Sequence, residues 1–107
     1  MKRIYNKLVR DKIPEIIEAD GKSCNARRLS DDEYSSALEA KLDEELVEYH
    51  SDKNVEELAD ILEVVYALAQ LHGVDPAGLE KIRNDKSAKR GGFSDRIFLV
   101  SVEDPDT

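Results

Sequence analysis

Residues 44–60 read EELVEYHSDKNVEELAD, and the placement of their acids decides how the chain is read. Glu45 and Glu48 are three apart, Glu57 and Asp60 are three apart, and HSDKN lies between the pairs. A spacing of three keeps both members of a pair on one side of a helix. The stretch is therefore the bend of a helical hairpin. Its acids form either a solvated acidic face or a set of carboxylates gathered around a cation.

The helical period tests these alternatives. On the first helix, Leu38, Leu42, Leu46 and Tyr49 form an apolar stripe. At roughly 100° per residue, Glu45 falls inside that stripe and Glu48 at its edge. On the second helix, Glu56, Glu63 and Gln70 form the wet face, whereas Glu57 and Asp60 lie among Ile61, Val64, Ala67 and Leu71. A carboxylate within an apolar stripe is costly unless something pairs with it. A turn centred near residues 51–53 sets Glu48 opposite Glu57 and Glu45 opposite Asp60. With helix axes about 8–10 Å apart, the four carboxylates converge on one groove. Four adjacent carboxylates cannot all remain ionised without a cation, and oxygen-only ligands suit Mg²⁺. The competing explanation for Glu57 is a capping box with Asn54 at the positive end of a helix dipole.

Working outward, LVRDKIPEIIEADG predicts a short helix from about Pro14 to a stop at Gly21. Ser30 and Glu33 form a capping-box pattern that starts the first long helix, which runs to about His50. The second runs from about Asn54 to Leu71. Asp75-Pro76 caps a third, which ends at Gly91-Gly92. RIFLVSV, residues 96–102, is apolar and β-branched enough for one short strand, with 22–29 as its potential partner. EDPDT reads as a frayed tail. The expectation is a mainly α antiparallel helical bundle with at most this small β element.

The chain has 107 residues, 37% of them charged, and a formal net charge of −8, so one small domain is expected. That charge argues against nucleic acid or an anionic membrane as partner. No run reaches membrane-spanning length and no secretory leader is evident. Cys24 is the single cysteine, which rules out an intrachain disulfide and fits a reducing cytoplasm. Basic residues cluster at Lys2, Arg3, Lys7, Arg10 and Lys12, and again at Arg83, Lys86, Lys89 and Arg90. Lys86, Lys89 and Arg90 share a helical face able to meet a polyphosphate, although each cluster also suits an ordinary solvated surface. Carboxylate-held Mg²⁺ beside cationic side chains suits phosphoryl or nucleotidyl transfer.

YNKLVRDKIPEII, KLDEELVEY, EELADILEVVYALA and KRGGFSDRIFL together resemble the MazG-like nucleotide pyrophosphohydrolases of the all-α NTP pyrophosphatase superfamily. The resemblance extends from about Tyr5 to Leu99, and its most specific part is the ordered E-x-x-E and E-x-x-D. It implies an enzyme that cleaves a nucleoside triphosphate to the monophosphate and pyrophosphate. It also implies Mg²⁺, with Mn²⁺ as an alternative, on Glu45, Glu48, Glu57 and Asp60, and Glu45 or Glu48 activating the attacking water. By the same resemblance, Lys86, Lys89 and Arg90 hold phosphates, and Lys7 and Arg10 contact substrate. The family pairs subunits, so a homodimer is expected, with exchanged helices or a higher assembly as variants. The eight residues between Glu48 and Glu57 are fewer than in many members, which puts the site near a tight turn. Two other functions stay open: phosphoribosyl-ATP pyrophosphohydrolase, and a non-catalytic helical dimerisation or regulatory module.

Overall fold

The computed structural model describes residues 1–105. Its elements are α1 (Ile13–Ala19), α2 (Asp31–Asp52), α3 (Val55–Leu71) and α4 (Pro76–Arg90). The architecture is mainly α, and local chemistry explains the boundaries. Ser30 accepts from the Glu33 backbone N–H at 3.3 Å, and the Glu33 carboxylate accepts from the Ser30 N–H at 3.0 Å, closing the anticipated box. Asn54 Oδ1 accepts from the Glu57 N–H, and Asp75 Oδ1 from the Gly78 N–H, so both later helices also start on a cap. Pro76 occupies the first turn of α4, where its missing donor costs nothing.

Between α2 and α3 the chain reverses at Lys53, which adopts the left-handed conformation with φ 52° and ψ 39°. Its N–H still bonds the Tyr49 carbonyl at 2.7 Å. A connection this short leaves α3 no course but back along α2, and these two helices form the principal packed pair. Leu38 of α2 and Val64 of α3 are the buried apolar side chains of that seam. Glu56, Glu63 and Gln70 are all exposed, as their heptad spacing requires. α4 leans lightly on α3, and among the described residues α1 packs against no other helix.

The shape is open. The radius of gyration is 19.4 Å, against about 13 Å for a compact chain of this length. The small β element does not form: among the described residues there is no strand, and residues 22–29 and 96–102 are in neither helix nor sheet. The reason is cooperative, since a lone pair of short strands is marginal in water without a layer to cover it. Cys24 instead lies against α1, its thiol 3.9 Å from the Pro14 carbonyl oxygen.

Two local terms can be checked. Lys53→Gly should stabilise the chain by about 0.5–1 kcal/mol, because a side chain in the left-handed region is unfavourable there. Ser30→Ala should cost about 1 kcal/mol in urea denaturation. The Arg27 guanidinium, followed by the Ser30 backbone and hydroxyl, holds Glu33 down at about 2. Glu33 thus stabilises the fold fully above its ordinary carboxylate range and loses that effect as pH falls through about 2. The Glu33→Gln variant should therefore lack part of the acid-induced loss of stability seen in the parent.

Candidate metal centre

Glu45 enters the site from the apolar stripe of α2 and is itself buried, 7% exposed. Glu57 and Asp60 approach from the first two turns of α3 and are half-buried. Carboxylate oxygens of these three residues all lie within 4.8 Å of one another. The same capping bond that starts α3 fixes Glu57, because its own backbone N–H is the donor to Asn54. The hairpin thus brings residues from two helices into one cluster of hard oxygen donors.

Charge around the cluster is only partly offset. Lys41 Nζ lies 3.4 Å from Glu45 Oε1, an i,i+4 pair within α2. Arg10 Nη2 reaches across from the N-terminal segment to Asp60 Oδ1 at 2.7 Å. Glu45 Oε2 and Glu57 Oε2 are buried and accept no hydrogen bond from the protein. Burial, followed by the neighbouring charges of Glu48, Asp60, Asp52 and Glu45, pushes the Glu57 carboxyl above its ordinary range. Two buried oxygens without donors, beside a third carboxylate, make a donor set that could hold a hard divalent cation. Such a donor set favours Mg²⁺ or Mn²⁺ over the softer transition metals.

The other anticipated residues divide. Glu48 is exposed and outside the three-residue cluster, although its charge still acts on Glu57. Lys7 pairs with Glu44 at 3.2 Å and stands 5.7 Å from the Tyr5 ring centre. Lys86, Lys89 and Arg90 occupy the exposed second half of α4, and among the described residues none forms an ion pair. Glu44 and Lys41 were not anticipated. Burial pushes Glu44 upward, but Lys7 and Lys41 outweigh it and hold the carboxyl below its usual range. The i,i+3 and i,i+4 spacing of Lys41 to Glu44 and Glu45 was the available signal.

Comparison with known proteins adds little to this geometry. No family model matches the chain, and no solved structure matches it. The chain is 63% identical over 41 residues to an uncharacterised protein of Mycolicibacterium smegmatis. That stretch covers 38% of this chain and 42% of the relative, so less than half the relative's length is spanned.

The raised Glu57 carboxyl gives a signed pH effect. The folded chain holds that proton to higher pH than the unfolded chain, so its contribution to stability declines as pH rises from the unfolded to the folded value. In EDTA, Glu57→Gln should therefore melt at higher temperature than the parent at neutral pH, with the gap closing on acidification. A lower melting temperature at pH 7 would show that Glu57 is stabilised by something other than a cation.

Proposed function

We propose that this protein is a Mg²⁺-dependent nucleoside triphosphate pyrophosphohydrolase of the MazG-like type, acting in the cytoplasm as a homodimer. The observation that carries the reading is the convergence of Glu45, Glu57 and Asp60, with a buried donorless oxygen on each glutamate. An acidic helix pair that merely solubilised the chain would have its carboxylates in water. Instead, two of these oxygens are shielded from it.

In the proposed reaction, water attacks the α-phosphorus of the triphosphate. The bond from that phosphorus to the bridging oxygen of the β-phosphate breaks, leaving the monophosphate and pyrophosphate. When bound, Mg²⁺ neutralises phosphate charge and polarises the reacting phosphoryl group. Glu45, Glu57 and Asp60 hold it, with Glu48 available at the exposed rim. Either Glu45 or Glu48 accepts the proton of the attacking water, which requires a carboxylate within hydrogen-bond reach. Arg10 and Lys7 border the acids and contact substrate phosphates, while Lys86, Lys89 and Arg90 supply further positive charge from α4. Damaged or surplus nucleotides suit such a role.

The homodimer rests on what the single chain leaves uncovered. Val55, Leu58 and Leu62 form an exposed apolar stripe on α3 at positions i, i+3 and i+7, and Val47 of α2 is also exposed. Apolar surface of this kind marks an interaction face. Two hairpins packed face to face would bury it and complete a four-helix core.

The deciding experiment measures pyrophosphate release from a panel of ribo- and deoxynucleoside triphosphates and phosphoribosyl-ATP, with Mg²⁺ or EDTA. Mg²⁺-dependent release should fall at least about 100-fold in Glu45→Gln and Asp60→Asn, since losing even an outer partner of a metal ligand costs 10–100-fold. Release from phosphoribosyl-ATP alone would move the assignment to that substrate. Silence across the panel, together with no Mg²⁺ effect on melting, would leave a non-catalytic helical module.

A further inference from the structure

Beyond the helices, the chain presents a second surface that the proposed site does not use. Ile97, Phe98, Leu99, Val100 and Val102 are 85%, 88%, 74%, 86% and 77% exposed in a segment that forms neither helix nor strand. The chain enters it through a turn in which the Arg96 N–H bonds the Phe93 carbonyl at 3.1 Å, with Arg96 at φ 60°. Beyond that turn, among the described residues, no backbone group of 97–102 pairs with the protein. A β-branched, apolar segment whose backbone groups are unpaired is a template for strand pairing.

We propose that residues 97–103 pair with the same segment of a second copy, as an antiparallel two-stranded ribbon centred on Val100. This adds a contact to the homodimer proposed above and rests on it. The choice of a second copy comes from the self-complementarity of the segment. With Val100 opposite Val100, Phe98 faces Val102 and Arg96 at the strand entrance comes alongside Asp104 of the other copy. One face then carries only Phe98, Val100 and Val102 from both strands, with opposite charges at each end. Leu99 faces Ser101 and Ile97 faces Glu103 on the other side, so the ribbon is apolar on one side and mixed on the other.

Neighbouring registers are worse. Leu99 opposite Leu99 pairs Arg96 with Val102 and leaves both Glu103 and Asp104 overhanging. Ser101 opposite Ser101 sets Asp104 against Phe98 and Glu103 against Leu99. A parallel, in-register pair stacks Arg96 on Arg96, Glu103 on Glu103 and Asp104 on Asp104, and like charges directly opposite are unfavourable. Because a two-stranded ribbon is marginal alone, its apolar face has to seat on the helices of the paired copies.

The test is site-directed cross-linking of the full chain with Cys24→Ser as background. In the proposed register the two copies' residues at position 100 are directly opposite, within disulfide reach, whereas those at position 99 are diagonal. Val100→Cys should form interchain disulfide at least about tenfold faster than Leu99→Cys under mild oxidation. Amide hydrogen exchange at 97–103 in the unsubstituted chain should also slow as concentration rises through the dimerisation range. Faster cross-linking at 99, equal rates at both positions, or exchange that is fast at every concentration would overturn the proposal. Neither readout depends on catalysis or Mg²⁺. A dimer that persists without these signals would leave the helical pairing standing and remove only the ribbon, and an inactive chain that shows them would do the reverse for the enzyme.

Discussion

Like-charge repulsion at the α2–α3 seam is the constraint around which the molecule is arranged. Packing α3 back along α2 obliges Glu45, Glu57 and Asp60 to share one small volume. Lys41 and Arg10 answer part of that charge, and the N-terminal end of α3 supplies partial positive charge of its own. What they leave is specific: one buried oxygen on Glu45 and one on Glu57 without a donor. The raised Glu57 carboxyl expresses the same imbalance as a proton affinity. This crowding costs stability at the seam and leaves oxygen donors concentrated there.

The rest of the fold offers little to oppose that cost. Leu38 and Val64 are the buried apolar side chains, while much of the remaining apolar surface of α3 and of residues 97–102 faces outward. A core this thin leaves the site's rigidity to the turn at Lys53 and the Asn54 cap. α3 carries two of the clustered acids on one side and the Val55, Leu58 and Leu62 stripe on another.

Much of this was legible in the residues. Ser30, Asn54, Asp75 and Pro76 announced helix starts because caps act over three or four residues, and the bounds of α2, α3 and α4 follow closely. Glu45, Glu57 and Asp60 could be picked out because each interrupts an apolar face at a readable period. Glu48 was harder: it lies at the edge of the stripe, where a small rotation separates a cluster member from an exposed neighbour. The contacts of Arg10 with Asp60 and of Lys7 with Glu44 cross from a non-helical segment, which has no period to read. Residues 96–102 have strand composition, but a strand needs a partner, and composition does not say whether the partner belongs to the same chain.

The short turn also governs when the acids meet. Glu45 and Asp60 are fifteen residues apart, so their encounter requires only local chain closure. Loops of about ten residues close in roughly 10–100 ns, and structures built from local contacts fold fast. Repulsion among the carboxylates is consequently met early, while α2 and α3 are still docking. Any cation able to screen these carboxylates would act on the nascent hairpin, at a rate independent of protein concentration.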